Sequence, residues 1–299
     1  MQVIFDQDSS QAFDTVTVEG SLIFLPDPVD SEHVRSFTAN QIFVNGGYVW
    51  MGTESEPYTS KLIITLKSND SFEDIPMFGR NVIGVLNGLV DAHGVARELP
   101  WLELKYSAPS GADSIILQND ATTSSSTASE LDWLAGEQIV VASSDFEGRH
   151  AEVRTIVSVS NAAKDPILVL DKPLEFTHEA TISEIDEYFE LETRSAVAVL
   201  SRNIKIQGDQ TKSEQDYQGG ILMVHSTGGQ ASVARIENVE FNHVGQAYKD
   251  YRHPIHFHMT RDSRDSFVKN CVINRSFNRA IGMSGVQNLL VEGNVVYQA

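Results

Sequence analysis

The chain of 299 residues is 41% hydrophobic with only 9 prolines and 20 glycines, which supports a sizeable core and excludes a disordered or collagen-like polymer. With 22 Lys and Arg against 41 Asp and Glu, the formal net charge of −19 argues against binding nucleic acid or anionic membrane surfaces. A single cysteine, Cys271, excludes an internal disulfide framework and a thiolate metal cluster, and no apolar run approaches the roughly 20 residues that cross a bilayer. The start, Met1-Gln-Val-Ile-Phe-Asp-Gln-Asp, lacks the basic-then-apolar order of a signal peptide, and the end, Tyr297-Gln-Ala, follows an apolar pair without a polar cap. The chain reads as a piece of something longer, truncated at its carboxyl end.

In chain order, alternating β-branched runs appear at Thr15–Val18, Gln41–Val44, Lys61–Leu66, Gln138–Val141, Ile167–Leu170 and Asn203–Ile206. Glycines and Asn, Asp and Ser clusters separate them, and helical periodicity is nearly absent, so the fold class is all-β. The stretches Asn119–Glu130 and Gly208–Gln218 read as exposed polar loops. In the carboxyl third the pattern Asn, apolar, any, apolar begins at Asn203, Asn238, Asn270 and Asn294, with spacings of 35, 32 and 24 residues. Repeats of this length predict stacked coils of a right-handed parallel β-helix, with alternate apolar residues inward and asparagines bonding along one corner. Cys271 then aligns with Ile204, Val239 and Val295 as a buried small hydrophobe.

Several segments carry a resemblance. In the amino part they are Val18-Glu-Gly-Ser-Leu-Ile-Phe, Thr38-Ala-Asn-Gln-Ile-Phe-Val-Asn-Gly-Gly, Met51-Gly-Thr-Glu-Ser-Glu-Pro-Tyr and Lys61-Leu-Ile-Ile-Thr-Leu, and eight glycines fall within residues 1–94. Later come Ser201-Arg-Asn-Ile-Lys-Ile-Gln-Gly-Asp, Glu240-Phe-Asn-His-Val-Gly-Gln-Ala-Tyr, His253-Pro-Ile-His-Phe-His and Ser276-Phe-Asn-Arg-Ala-Ile. Together they resemble the family of fibrocystin-L, the cell-migration-inducing hyaluronidase and transmembrane protein 2, in which an eight-glycine domain precedes parallel β-helix repeats. The resemblance implies an eight-glycine β domain at 1–118, a connecting β region with a long loop at 119–200 and β-helix repeats at 201–299. It also implies the extracellular face of the cell, where some members depolymerise hyaluronan and others are large receptors or coat proteins.

The densest chemistry is Arg252-His-Pro-Ile-His-Phe-His, with His243 upstream. In a strand, His256 and His258 share one face about 7 Å apart, suiting a shared metal or a pair of proton-transfer groups. Aligning Arg279-Ala-Ile-Gly-Met-Ser-Gly with His253-Pro-Ile-His-Phe-His-Met puts Ile255 and Phe257 over Ile281 and Met283 in the core. His256 and His258 then face outward above a small-residue floor of Gly282 and Ser284, a lateral groove for an extended polymer. A zinc site needs three protein ligands, so a third would come from His243, His253 or Asp262. The bland alternative is a polar ladder that stabilises the sheet face and does no chemistry. The resemblance adds that relatives carry histidines where this chain has Asn274, Ser284 and Gln287, which weighs against catalysis.

Between Lys249 and Arg279 seven basic residues (Lys249, Arg252, Arg261, Arg264, Lys269, Arg275 and Arg279) face three acidic ones, a local charge of +4 that leaves −23 on the remainder. With Tyr248, Tyr251, His243 and His253 they could form a strip that focuses a linear anionic glycan. Alternatively, Arg261-Asp-Ser-Arg-Asp is a solvated turn whose charges pair locally. A hydrolase would add two carboxylates; Glu240, between Val239 and Phe241, is expected to face outward, Asp262 is a second candidate, and Asp209 reads as a turn residue. Arg194 and Arg202 are expected to brace the fold. Calcium or another divalent metal is the cofactor class left open, without a dedicated calcium loop. Asn69-Asp-Ser and Asn274-Arg-Ser are glycosylation sequons, and His33, His93, His150, His178 and His225 read as satisfied structural histidines. The primary expectation is an extracellular or cell-surface module for carbohydrate or protein recognition and scaffolding. The alternatives are a hyaluronidase-like depolymerase, with His256, His258 and Glu240 acting and Arg252 holding the sugar, and a coat or filament repeat that associates end to end.

Overall fold

A computed structural model describes residues 1–8, 11–67, 73–119, 130–160, 164–186 and 189–299. Most of the Asn119–Glu130 loop and the Asn69-Asp-Ser sequon lie outside the described residues. The sequence partition ran in three consecutive segments, whereas contacts group the chain into two units: Met1–Ala96 with Arg202–Ala299, and Arg97–Ser201.

The first unit is a three-faced parallel β-helix. One parallel sheet stacks Gln2–Phe5, Ser21–Phe24, Tyr48–Met51, Leu89–His93, Val233–Glu237, Phe267–Lys269 and Leu290–Glu292. A second contains the long strand Val34–Asn45, which pairs through Val34–Ala39 with Lys61–Leu66 and through Ile42–Asn45 with Ile83–Leu86. That strand turns from one face to the next, so the second sheet supplies two faces of every coil. One complete coil is Lys61–Leu66, Val82–Leu86 and Leu89–His93. Although residues 97–201 intervene, the next coil resumes in parallel register, with Ile204 opposite Leu62, Leu222 opposite Ile83 and Ala234 opposite Val90.

Alternation explains the core. Leu62, Ile64, Ile204, Ile206, Val239 and Phe241 on one face, Ile83, Val85, Leu222, Val224, Ile255 and Phe257 on the next, and Val90, Ala92, Ala234, Ile236 and Val268 on the third are at most 1% exposed. Cys271 is buried among them, its Sγ–H donating to the Lys269 carbonyl at 3.2 Å, and burial pushes its thiol up to about 12. It behaves as the small hydrophobe expected. The last coil is offset by one residue from the sequence alignment, because Val272, not Cys271, pairs with Val295.

Corners are single residues in the left-handed region: Asn87, Asn238, Asn270 and Asn288 have φ of 52, 54, 51 and 61°. The repeat asparagines bond along the axis, to backbone. Asn203 Nδ2 donates to the carbonyls of Tyr58 (2.6 Å) and Ser60 (2.8 Å), and Asn294 Nδ2 donates to Val268 (2.9 Å). Arg202 braces the same region through the Asn270 carbonyl at 3.3 Å. Gly208–Gln218, read as a loop, contains a helix at Gln210–Asp216. Asp209 caps it by accepting the Lys212 N–H at 3.0 Å, and Lys212 pairs with Asp216 at 2.9 Å. With no apolar stripe, these seven residues carry no helical periodicity to read.

The second unit is a closed antiparallel barrel of Ser114–Gln118, Ile167–Leu170, Glu152–Ser160, Gln138–Val141, Ala196–Val199 and Trp101–Leu104. Its core gathers Leu104, Ile115, Leu117, Trp133, Ile139, Val141, Ile156 and Leu168. Glu152 is buried but saturated, accepting from the Glu175 and Phe176 amides, from His178 Nε2 at 3.0 Å and from Arg154. Arg194 donates to the carbonyls of Leu104 and Lys105, the bracing role expected of it.

The Val95 N–H donates to the Asn203 side chain at 2.8 Å, so the two ends of the β-helix that flank residues 97–201 are adjacent. Joining residues 1–96 to 202–299 through a short Gly/Ser linker should therefore leave a β-rich, cooperatively melting coil stack. Circular dichroism and thermal melting check this, and an unfolded product would contradict it.

Candidate histidine cluster and cleft

The strand Ile255–Asp262 lies between Ile221–His225 and Ile281–Gln287. Its register pairs Ile255 with Ile281, His256 with Gly282, Phe257 with Met283 and His258 with Ser284, as the sequence alignment required. Ile255 and Phe257 point into the core, and His256 and His258 take the opposite side. Two details differ from expectation. Met283 is 55% exposed, and His256 is fully buried while His258 is half-buried. The segment before the strand covers the pair: the Tyr251 ring lies 5.5 Å from His256 and 5.0 Å from His258, and the His253 ring stacks on His256 at 4.9 Å. Gly282 makes this possible, since a Cβ there would collide with both the His253 and His256 rings.

The imidazoles form a chain. A hydrogen bond joins His253 Nδ1 to His256 Nδ1 at 3.0 Å, another joins His256 Nε2 to His258 Nδ1 at 3.4 Å, and His225 Nδ1 donates to the His258 carbonyl at 2.8 Å. Burial first, then the positive fields of His253, His258 and Arg252, push His256 down to about 4; burial also lowers His253 and His258. A neutral His256 has one N–H and one acceptor, so it donates to one neighbour and accepts from the other. His225, read from the sequence as a satisfied structural histidine, joins the row because Met223-Val-His pairs with His256-Phe-His.

His253 reaches a cleft of about 860 Å³ whose walls include Tyr248, Lys249, Asp250, Tyr251 and Arg279, with Gly282, Met283 and Ser284 below. Tyr248 is fully exposed. Other sequence candidates lie elsewhere. His243 is buried on another face, against Glu214 at 2.9 Å and Arg275 at 3.3 Å. Glu240, expected outward, is 3% exposed. It pairs with Lys205 at 2.9 Å and accepts from Asn242 at 2.9 Å and the Arg202 N–H at 3.3 Å. It sits on the outward side of its strand, but these neighbours close over it. Arg252 is half-buried beside Gly79, with Nη1 3.6 Å from Met223 Sδ. Lys269 lies over the Phe267 ring at 4.3 Å, on the first-described sheet. Arg261 is exposed near a local pair, Arg264 with Asp262 at 2.7 Å. The Arg264 hydrogen bonds and one from Asn288 hold Asp262 down to about 2. His33, His150 and His178 each pair with a carboxylate, at 3.1, 2.6 and 3.0 Å.

Among the described residues no group of three or more His, Cys, Asp or Glu side chains is arranged to hold a metal ion. His256 faces its two histidine partners through different nitrogens, a geometry for proton sharing and not for a common centre. Asn274, the second sequon, is 3% exposed in its strand and out of reach of a bulky glycan.

Residues 1–105 match the family model described as G8 domain, and residues 217–299 match the one described as CEMIP beta-helix. The chain is 30% identical to Fibrocystin-L of Mus musculus over 99% of its own length, and 28% identical to Fibrocystin-L of Homo sapiens over 93%. It spans 7% of the length of each of these relatives. Protein rliB of Dictyostelium discoideum is 25% identical, over 88% of this chain and 21% of its own. Among solved structures, the Gp54 tailspike of Acinetobacter baumannii bacteriophage AP22 in complex with A. baumannii capsular saccharide is 12% identical, with a TM-score of 0.23, over 92% of this chain and 41% of that one. The G8 domain and parallel β-helix read from the motifs are thus present, in a chain similar to Fibrocystin-L. No helix among the described residues is long and apolar enough to cross a membrane.

The depressed His256 sets a pH dependence. Its folded value of about 4 lies below the ordinary 6.5, so as pH falls the unfolded chain takes up this proton first. The contribution to stability is full above about pH 6.5, declines toward pH 4 and levels off below. Its total is on the order of 3 kcal/mol. His256→Gln, whose amide can still donate and accept, should show a shallower loss of melting temperature than the unmodified chain across that window. Parallel curves would remove His256 as the source.

Proposed function

We propose that this segment recognises an acidic glycan at the cleft beside the histidine chain, within a longer extracellular or cell-surface protein in which the β-helix also serves as a rigid scaffold. The observation that carries the reading is the convergence of Lys249 and Arg279 with Tyr248, Tyr251 and His253 on one open cleft. The two cations offer charge-assisted bonds to carboxylate or sulfate groups, and the tyrosines offer flat apolar surface with hydroxyl tips for sugar rings. His253 is backed by His256 and His258, which fixes its ring for hydrogen bonding to a sugar hydroxyl. The similarity to Fibrocystin-L is consistent with a cell-surface setting.

A depolymerase is the second reading, favoured by the imidazole chain that opens on the cleft through His253. On that reading His253 exchanges a proton with bound sugar, His256 and His258 relay it, and Asp250 is the carboxylate on the cleft wall. Glu240 is held by Lys205 and is not available for that role.

Hyaluronan and chondroitin sulfate fragments, titrated at several salt concentrations with and without calcium, test both readings. Binding should weaken with salt and fall about tenfold or more in the Lys249→Glu, Arg279→Glu double variant. Unchanged binding in that variant would refute the recognition site. Shortening of the fragments, abolished in His253→Ala, would establish the depolymerase in place of a pure binding module.

A further inference from the structure

The sheet that carries Leu89–His93 presents a second cleft, of about 460 Å³, formed by the Thr53–Ser55 loop together with Asp91, His93, Arg235 and Phe267. Its floor is built by register. Trp50 pairs with Asp91, Asp91 with Arg235 and Arg235 with Phe267, one residue per coil, and His93 pairs with Glu237 in the adjacent row. The loop's shape is set by reciprocal bonds, Thr53 N–H to the Glu56 carbonyl at 2.9 Å and Glu56 N–H to Thr53 Oγ1 at 3.0 Å.

Asp91 is 5% exposed, and its carboxylate accepts from Trp50 Nε1 at 3.1 Å and from Arg235 at 3.5 Å. His93 is 2% exposed, with Nε2 3.7 Å from Asp91 and Nδ1 3.5 Å from Glu237. Neither approach is a hydrogen bond, and Nδ1 is buried without a hydrogen-bond partner. Nδ1 faces Glu237, outside the cleft lining, so the ring atom that a polar ligand in the cleft can meet is Nε2, beside Asp91.

We propose that this cleft binds a neutral sugar residue. Asp91 accepts hydroxyl protons, Arg235 and His93 complete a donor and acceptor set for neighbouring hydroxyls, and the cleft-facing part of Phe267 meets the apolar C–H side of the ring. Glu54, Asp91 and the neighbouring Glu237 still outweigh Arg235 and Lys269, whose ammonium lies over the Phe267 ring, so an acidic sugar is disfavoured here. This goes beyond the acidic-glycan reading, because it uses a different sheet, opposite charge and separate residues.

The test titrates the full 299-residue chain with oligosaccharides of glucose, galactose, mannose and N-acetylglucosamine, read by tryptophan fluorescence, since Trp50 donates to Asp91. At least one should bind saturably and independently of salt, and about tenfold more weakly in Asp91→Asn and Phe267→Ala. Should those changes disturb folding, Ser55→Phe blocks the mouth from the exposed loop and should abolish binding with an unchanged circular dichroism spectrum. The Lys249→Glu, Arg279→Glu variant should bind as the unmodified chain does. No binding to the panel, binding that survives Ser55→Phe, or binding lost with Lys249 and Arg279 would each overturn the proposal.

Discussion

The contact on which the β-helix depends is the stacking of one coil's inward aliphatic residue on the equivalent residue of the next. Leu62 under Ile204 shows its strength as an organising constraint, because the register is kept although residues 97–201 intervene in the chain. Burying such side chains stabilises by about 25 cal/mol per Å² of apolar surface removed from water. A one-residue slip would forfeit that burial along an entire strand, since it exchanges the two sides. The left-handed asparagine corners serve the same end: by turning the chain within one residue they keep successive strands in phase.

Phase on the inside determines chemistry on the outside. Because Ile255 and Phe257 are inward, His256 and His258 must lie on the opposite side, His256 between Met223 and Gly282 and His258 between His225 and Ser284. Clustering of histidines therefore follows from the repeat once two successive coils carry histidine at one position. What converts the row into a hydrogen-bonded chain is local: Gly282 leaves space for two rings, and Tyr251 and His253 cover them. Covering removes water from His256 and keeps it neutral, so it can donate on one side and accept on the other.

This division explains what was legible in the sequence. The all-β class, the repeat, the inward Cys271 and the pairing of His256 with Gly282 rest on period-two patterning, and all were read from residues alone. Glu240 shows the boundary. Alternation places it correctly on the outward side, opposite Lys205, but says nothing of the neighbours that close over it. His225 looked isolated because its partner His258 is a coil away in sequence, and Glu237 lies still farther from His93. Asp209 was read as a turn residue, and the helix it caps was not read because its seven polar residues carry no apolar period.

The basic window illustrates the same geometry on the scale of charge. Asn238 and Asn270, 32 residues apart, mark one turn of the coil, so a window from Lys249 to Arg279 wraps around the axis. Its cations accordingly part company: Lys249 and Arg279 meet at the histidine cleft, Lys269 lies over Phe267 on another face, and Arg275 joins His243 on the third face. In a solenoid, residues that share a face recur at the coil spacing, whereas sequence neighbours diverge. Electrostatic fields at physiological salt decay within about 8 Å, so each cleft is governed by its own few charges and not by the sum over the chain. A body of net charge −19 can for that reason present a cationic cleft on one face and an anionic one on another. The pairing of faces with charge then follows from which residue the repeat places at each outward position.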